Sequence, residues 1–224
     1  MSISQNDTLR SQLRNLKVLE GPLETCNFDS FPATPQEAFS KWLQEAIAAG
    51  VKEPHALTLS TVDEHGWPDA RVLILKNVDH RGWHFAVKGN SPKGRQLQGN
   101  AYAALTFHWP EQGRQVRIRG KATKLPEDEC KRDFSERPLS SKIAALSSKQ
   151  SQVLGNADQV QNAMVAARHT LEDDRDFILL DWKVYALDPT LVEFWQGADD
   201  RLHQRIQYTI QSTGEEWEKD LLWP

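Results

Sequence analysis

Cysteine is scarce: the 224 residues hold two, Cys26 and Cys130, far apart and outside any CxxC pattern. That spacing suggests neither a disulfide framework nor a zinc site, and both are expected as free thiols in a reducing compartment. A basic excess is missing as well. Lys and Arg total 27 against 31 Asp and Glu, for a net charge of -4. A surface that tracks nucleic-acid phosphates carries the opposite bias, so no nucleic-acid partner is expected and any anion site must be local. No apolar run approaches the roughly 18 residues that a membrane span needs, and the N-terminus has no apolar core of signal-peptide length. No membrane association is therefore expected, and the cytoplasm is the expected location. There is no GxGxxG after a strand and no GxxxxGK[ST], which removes the usual dinucleotide and nucleoside triphosphate folds. There is no HExxH, no carboxylate-rich metal loop and no GxSxG elbow, so no metal is expected and serine hydrolysis is disfavoured.

What is there suits one enzyme-sized domain, with 39% hydrophobic and 26% charged residues. Residues 1–33 are polar, lack sustained periodicity and end in FPATP, which reads as a flexible arm outside the core, leaving 34–224 as a single domain. A helix is signalled at Thr34 as N-cap, with Pro35 at its first position, Glu37 closing a capping box and Gly50 as the stop. Phe39, Leu43 and Ile47, with Trp42 beside them, give it an apolar face. The period then changes. HALTLSTVD, DARVLILKNVD and WHFAVKG read as three antiparallel strands joined by short glycine-containing turns. A short helix follows, with Ser91 as N-cap, Pro92 first and Gly99–Asn100 as its end. AYAALTFHW and RQVRIRGKATKL continue the sheet, PEDECKRDFSER is a polar helix before RPLSSKIAALSSKQS, and 156–174 is another helix. Strands return with FILLDWKVYALDPTLVEFWQG, RLHQRIQYTIQS, TGEE and a final stretch ending LLWP. Strands with helical inserts and no βαβ unit indicate a mainly β fold: a closed or nearly closed antiparallel barrel with flanking helices.

Chemistry is signalled by basic residues inside otherwise apolar segments: Arg71 and Lys76 in RVLILK, Lys93 at a helix start, Arg137 in RPLSS, and Arg201 with Arg205 around His203. Isolated cations are costly to bury, so several at strand ends imply anionic partners such as phosphate. Arg71 and Lys76 are five apart and point to opposite faces of a regular strand, which suggests two anion sites unless a bulge intervenes. Unaided, these residues indicate a protein that binds a phosphorylated small molecule.

The segments RVLILK, SPKGRQLQGN, RQVRIRGKA, RPLSSKI, SKQS and above all VEFWQG followed by RLHQR resemble, in order and spacing, the signature segments of the pyridoxamine 5′-phosphate oxidase family. The likeness runs from about residue 34 to the C-terminus. It implies a six-stranded antiparallel split β-barrel that binds FMN at the interface of a homodimer. It also implies oxidation of pyridoxine or pyridoxamine 5′-phosphate to pyridoxal 5′-phosphate by O2, with release of H2O2. By the same resemblance Arg71, Val72, Leu73 and Lys76 line the flavin, with Lys76 reaching the substrate phosphate. Ser91 and Lys93 hold the FMN phosphate, Gln115 faces the flavin ring, and Gln150 and Ser151 bond the flavin tail. Trp195 and Arg205 complete the cofactor site, from the other subunit. Arg137 and Ser141 bind the substrate phosphate, and Arg201 and His203 lie over the substrate ring as the catalytic pair.

The chain departs from the family pattern in places. Asp133 stands where a tyrosine normally helps hold the substrate phosphate, and an anion there is expected to repel a dianion, with Lys131 or Arg132 as candidate compensators. Pro92 replaces an arginine of the flavin-phosphate pattern, Ala86 and Val87 replace a hydroxyl-bearing pair, Leu221 replaces a C-terminal arginine, and LLDWKVY stands where WGGYR is usual. Related flavin oxidases of phenazine biosynthesis share the scaffold, so an oxidase of another aromatic or amine metabolite is the alternative, with a flavin- or pyridoxal-phosphate-binding protein of little turnover behind it.

Overall fold

In the computed structural model the described residues are 5–19, 21, 23, 25–211 and 216–224. Of the TGEE stretch at 213–216, read as part of the return to strands, residues 213–215 lie outside them. Helices α1 (Gln5–Arg14) and α2 (Pro35–Ala48) precede strands β1 (Ala56–Val62), β2 (Pro68–Asp79) and β3 (Gly82–Lys88). Helix α3 (Pro92–Gly99), strands β4 (Tyr102–Trp109) and β5 (Arg114–Lys124), and helices α4 (Glu127–Ser135), α5 (Leu139–Ser147) and α6 (Asp158–Asp173) follow. The chain ends in β6 (Trp182–Gln196), β7 (Gln204–Ile210) and β8 (Trp217–Leu222).

All strand pairings are antiparallel, in the order β3-β2-β1-β4-β5-β6-β7-β8, and β3 also pairs with β6. That extra pairing closes β1 to β6 into a six-stranded barrel, with β7 and β8 continuing outward from β6. The 15-residue β6 makes this possible. Its first half pairs with β3 (Trp83 opposite Leu187), its second half with β7 (Trp195 opposite Arg205), and β5 runs beside both. Gly82 and Gly120 sit where these neighbours crowd β6. A Cβ at either would run into a β6 carbonyl, that of Leu187 or of Asp188, and Gly82 has φ +109°.

The capping signals hold. Thr34 Oγ1 accepts the Glu37 N–H and donates to its carboxylate at 2.9 Å, and Ser91 Oγ accepts the Gly94 N–H at 3.2 Å. The face of α2 is shifted from the one expected. Ala38, Phe39, Trp42 and Ala46 are buried and Leu43 is half-buried, while Ile47 is 51% exposed. Ala46 already fills the helical repeat from Phe39 and Trp42, and one further residue turns the side chain about 100° away. Phe39 packs on Trp83, Phe107 and Trp109, and Trp42 on Phe31 and Phe194.

The reading of 1–33 as an arm outside the core needs correction at its end. Phe28 and Phe31 are buried in the barrel core, edge-to-face at 4.7 Å. Tyr208 Oη donates to the Pro32 carbonyl at 2.8 Å, and the Cys26 N–H to Gln204 Oε1 at 3.1 Å. Two rings in a polar stretch carry no period, so only the tertiary fold reveals their burial. Earlier in the same segment α1 is a helix, with residues 8–14 exposed.

Helices α4 and α5 lie against the barrel over a second core of Leu125, Cys130, Phe134, Ala145, Trp182 and Val184, and α6 packs on α5 through Ile143, Ala167 and Leu171. Cys130 is buried there, its sulfur accepting the Val184 N–H at 3.2 Å, and both cysteines are free. Among the described residues no helix is long and apolar enough to cross a membrane.

Candidate active site

The site residues fall into three groups, each placed by a different part of the barrel. The first is built where β3 runs into α3. Ser91 caps the helix, its hydroxyl donating to Lys88 O at 2.6 Å, and Gly94 follows because a Cβ would strike the Lys88 and Gly89 carbonyls. Lys93 on the first turn is 6% exposed, and its ammonium donates to Gln150 Oε1 at 2.9 Å. Burial pushes the Lys93 pKa down and the nearby Arg71 charge pushes it further, against a smaller opposite pull from Asp69. Arg71 is fixed in the barrel wall. It donates to Thr61 Oγ1 at 2.5 Å, Leu59 O at 3.3 Å and Gln96 Oε1 at 3.2 Å, and pairs with Asp69. Two neighbouring cations at a helix N-terminus, one of them buried with no carboxylate bonded to it among the described residues, fit a phosphate group such as the one FMN carries. Gln150 already reaches Lys93, while the exposed Ser151 adopts a left-handed backbone, φ +66°. Leu73, Ala86, Val87, Lys93, Gln150 and Trp182 are among the residues lining a cavity of about 210 Å3. Val72 points outward and is 67% exposed.

The second group centres on Asp133, and here the cation that faces it is not the one expected. Asp133 is engaged: its carboxylate pairs with Lys76 at 3.1 Å and accepts the Trp182 Nε1–H at 2.7 Å. Lys76 reaches it because β2 shifts register between Leu75 and Asn77. This is the bulge that the five-residue spacing from Arg71 left open. Arg132 does not compensate Asp133; it turns to Glu129 at 3.8 Å. The Arg137 guanidinium lies over the Trp182 ring, 4.1 Å from its centroid, and donates through Nη2 to the Ser141 carbonyl at 3.2 Å. Its Nε is buried with no partner among the described residues, and burial lowers the Arg137 pKa against the raising effect of Asp133. Arg137 lines the same cavity as Lys93.

The third group lies across β5, β6 and β7, where Gln115, Trp195 and Arg205 are register neighbours. Arg205 is held by Glu193 at 2.9 Å and donates to the Trp223 carbonyl at 2.9 Å. His203 Nδ1 accepts the Ala198 N–H at 3.1 Å, and its ring lies 4.8 Å from that of Trp195. With Nδ1 an acceptor, neutral His203 carries its proton on Nε2. Arg201 is exposed, has φ +65° and makes no side-chain bond among the described residues. A non-glycine residue in that region is strained, a feature that clusters at functional sites. Leu221, 67% exposed, borders a cavity of about 320 Å3 together with His203 and Arg205.

Lys93, Gln150, Leu73 and Arg137 are thus brought together, with Arg71 and Lys76 adjoining. Among the described residues no hydrogen bond or ion pair joins them to Gln115, Trp195, Arg201, His203 or Arg205. Sequence reasoning missed Gln96 and Thr61, which orient Arg71, Glu193, which holds Arg205, and Trp182, on which Arg137 stacks. It also missed Lys88, whose ammonium closes the end of α5 through the Ala145 and Ser148 carbonyls at 3.0 and 2.5 Å. Trp182 alone carried a signal, as the tryptophan of LLDWKVY.

Comparison with known proteins identifies the family. Residues 43–171 match the family model described as pyridoxamine 5′-phosphate oxidase, and residues 182–224 match the pyridoxine 5′-phosphate oxidase C-terminal dimerisation region. A pyridoxine/pyridoxamine 5′-phosphate oxidase of Haemophilus influenzae is 43% identical over 193 residues, covering 85% of this chain and 89% of that protein. The protein of the same name from Herminiimonas arsenicoxydans is 41% identical over 194 residues, covering 86% and 90%. The crystal structure of PhzG from Burkholderia lata 383, in complex with tetrahydrophenazine-1-carboxylic acid, superposes with a TM-score of 0.82 at 29% identity, covering 91% of this chain and 100% of that one. With both models matched along most of its length, the chain belongs to the pyridoxamine 5′-phosphate oxidase family.

Proposed function

We propose that this protein is an FMN-dependent oxidase that converts pyridoxine or pyridoxamine 5′-phosphate to pyridoxal 5′-phosphate, using O2 and releasing H2O2. One observation carries the reading: a single cavity is lined by the buried ammonium of Lys93 and by Arg137 with its unmet Nε–H, one grip for each of two anionic molecules. Ser91, Lys93, Gln150 and Ser151 hold the FMN phosphate and tail, and Arg71, Val72 and Leu73 support the ring. Bound FMN supplies the two-electron acceptor that the substrate carbon needs and returns the electrons to O2. Arg137, Ser141 and Lys76 hold the substrate's anionic arm.

Gln115, Trp195, Arg201, His203 and Arg205 close the site from the partner subunit of a homodimer. The dimerisation region spans four of these five and supports that assignment. Arg201 and the outward Nε2 edge of His203 orient the substrate ring and handle the proton lost from its alcohol or ammonium group. The test is an absorbance spectrum of purified protein, followed by pyridoxamine 5′-phosphate without air. Flavin absorbance that bleaches and returns with oxygen is the expected result; a protein that takes up no flavin overturns the reading.

A second reading, oxidation of a non-phosphorylated aromatic acid, is favoured by one observation. Lys76 is already paired with Asp133, and the relative from Burkholderia lata binds an aromatic carboxylic acid. Pyridoxamine 5′-phosphate that leaves the flavin band intact while a reduced aromatic acid bleaches it selects this reading.

A further inference from the structure

Behind the wall that Trp182 and Arg137 give the cavity lies an ion pair. Of the two cations placed there, Lys76 is held by Asp133 at 3.1 Å, with both side chains less than a third exposed. Asp133 cannot readily swing away, because its other carboxylate oxygen accepts the Trp182 Nε1–H at 2.7 Å. The same indole carries the Arg137 guanidinium on its face, so Asp133, Trp182 and Arg137 form one stack whose parts fix each other. Arg137 Nε–H is a buried donor of that stack with no partner among the described residues. A guanidinium held flat by stacking, with a free donor at its edge, is shaped for a planar carboxylate as well as for a phosphate.

We infer that Asp133 sets the charge preference of this subsite: by neutralising Lys76 it lowers the advantage of a doubly charged phosphate and lets a singly charged, carboxylate-bearing aromatic bind alongside phosphate esters. The inference rests on the oxidase reading and narrows its substrates. The physical basis is charge counting. A fixed negative charge beside the bound anion raises its energy in proportion to the anion's own charge, so it penalises a dianion about twice as much as a monoanion and leaves a neutral ring untouched. The stack supplies the geometry; the Asp133 charge supplies the selectivity.

The test uses FMN-loaded protein and three probes: pyridoxal, pyridoxal 5′-phosphate and phenazine-1-carboxylate, each titrated by the change in the flavin spectrum or its fluorescence. Asp133→Asn keeps the size and the acceptor for Trp182 while removing the charge, and Asp133→Tyr offers a neutral donor in its place. Asp133→Asn is expected to tighten the carboxylate on the order of tenfold and the phosphate ester on the order of a hundredfold, with pyridoxal unchanged. Asp133→Tyr is expected to favour the phosphate ester over the carboxylate in the same direction. Equal shifts for the charged probes, or none, would overturn the inference and leave the oxidase reading standing. If no probe perturbs the flavin in the native protein or in either variant, the oxidase reading itself fails and the inference with it.

Discussion

At the scale of single residues the site is a matter of where positive charge is left uncompensated. Lys93 is buried beside Arg71 and bonded to an amide oxygen, an arrangement that costs the empty protein stability and is relieved by an anion. Lys93→Met is therefore expected to weaken FMN retention roughly 10- to 100-fold, the range for one charge-assisted hydrogen bond. The flavin-free protein should melt at the native temperature or above it. Flavin released on gel filtration and a thermal scan of flavin-free protein check the two halves; a lowered melting point without flavin loss would assign Lys93 to the fold. Arg201 behaves differently, being exposed and free of side-chain bonds among the described residues. Arg201→Ala should leave FMN content and melting temperature unchanged while lowering turnover, and unchanged kcat/KM would remove it from the site. Which basic residues to single out was legible in the sequence, because they stand in or beside otherwise apolar segments. What each one touches was not. The Lys76–Asp133 pair depends on a β-bulge in one strand meeting a helix more than fifty positions later, and no local pattern records such a meeting.

At the scale of elements, the helices over the second core are held to the barrel by a small charge network. Arg81, at the turn between β2 and β3, bridges Asp79 at 2.8 Å and Glu129 of α4 at 2.7 Å. Asp79 also faces His84, 3.0 Å away. Burial pushes the Asp79 pKa up, but the hydrogen bonds from Arg81 and the charges of His84 and Arg81 outweigh it and hold the pKa at about 2, against 3.8 for the ordinary carboxyl. A carboxyl lowered on folding contributes stability above its unfolded value, and that contribution disappears as pH falls through the folded value. Native protein should accordingly lose stability between about pH 4 and pH 2, and Asp79→Asn should flatten that part of the profile. Urea midpoints at a series of acidic pH values would show it, and parallel profiles for the two proteins would refute it. Since α4 also carries Asp133, this anchor bears on the substrate end of the cavity. The elements themselves were largely readable. Thr34 and Ser91 announce α2 and α3 by capping chemistry, and alternating burial marks β1 and β5. Ile47 misled because a helical stripe is about 100° wide and its edge is blurred by one residue. Phe28 and Phe31 gave no warning because they are buried by remote strands.

At the scale of the molecule, the proposed reading assigns the groups that no bond joins among the described residues to one cavity completed across a two-fold axis. The expectation is sharp. Lys93→Met and Arg201→Ala each disable a different half, so mixing the two inactive proteins and allowing subunits to exchange should restore activity to about a quarter of native, because half of the dimers are mixed and each of those holds one intact site. No recovery after verified exchange would place both residues in the site of one chain. The exposed Val72, Tyr102, Leu221 and Trp223 are surfaces that such an assembly can cover.

The pairing of β3 with β6 has a consequence for how the protein comes into being. Trp83 must wait for Leu187 before the barrel can close. During synthesis the open sheet therefore presents two unsatisfied edges, β3 and β5, until the last fifth of the chain leaves the ribosome, and such edges invite misassembly. Trp182 arrives on that same strand, bringing with it one wall of the cavity. Closure of the barrel and completion of the pocket are thus one late event, and flavin uptake has to follow translation.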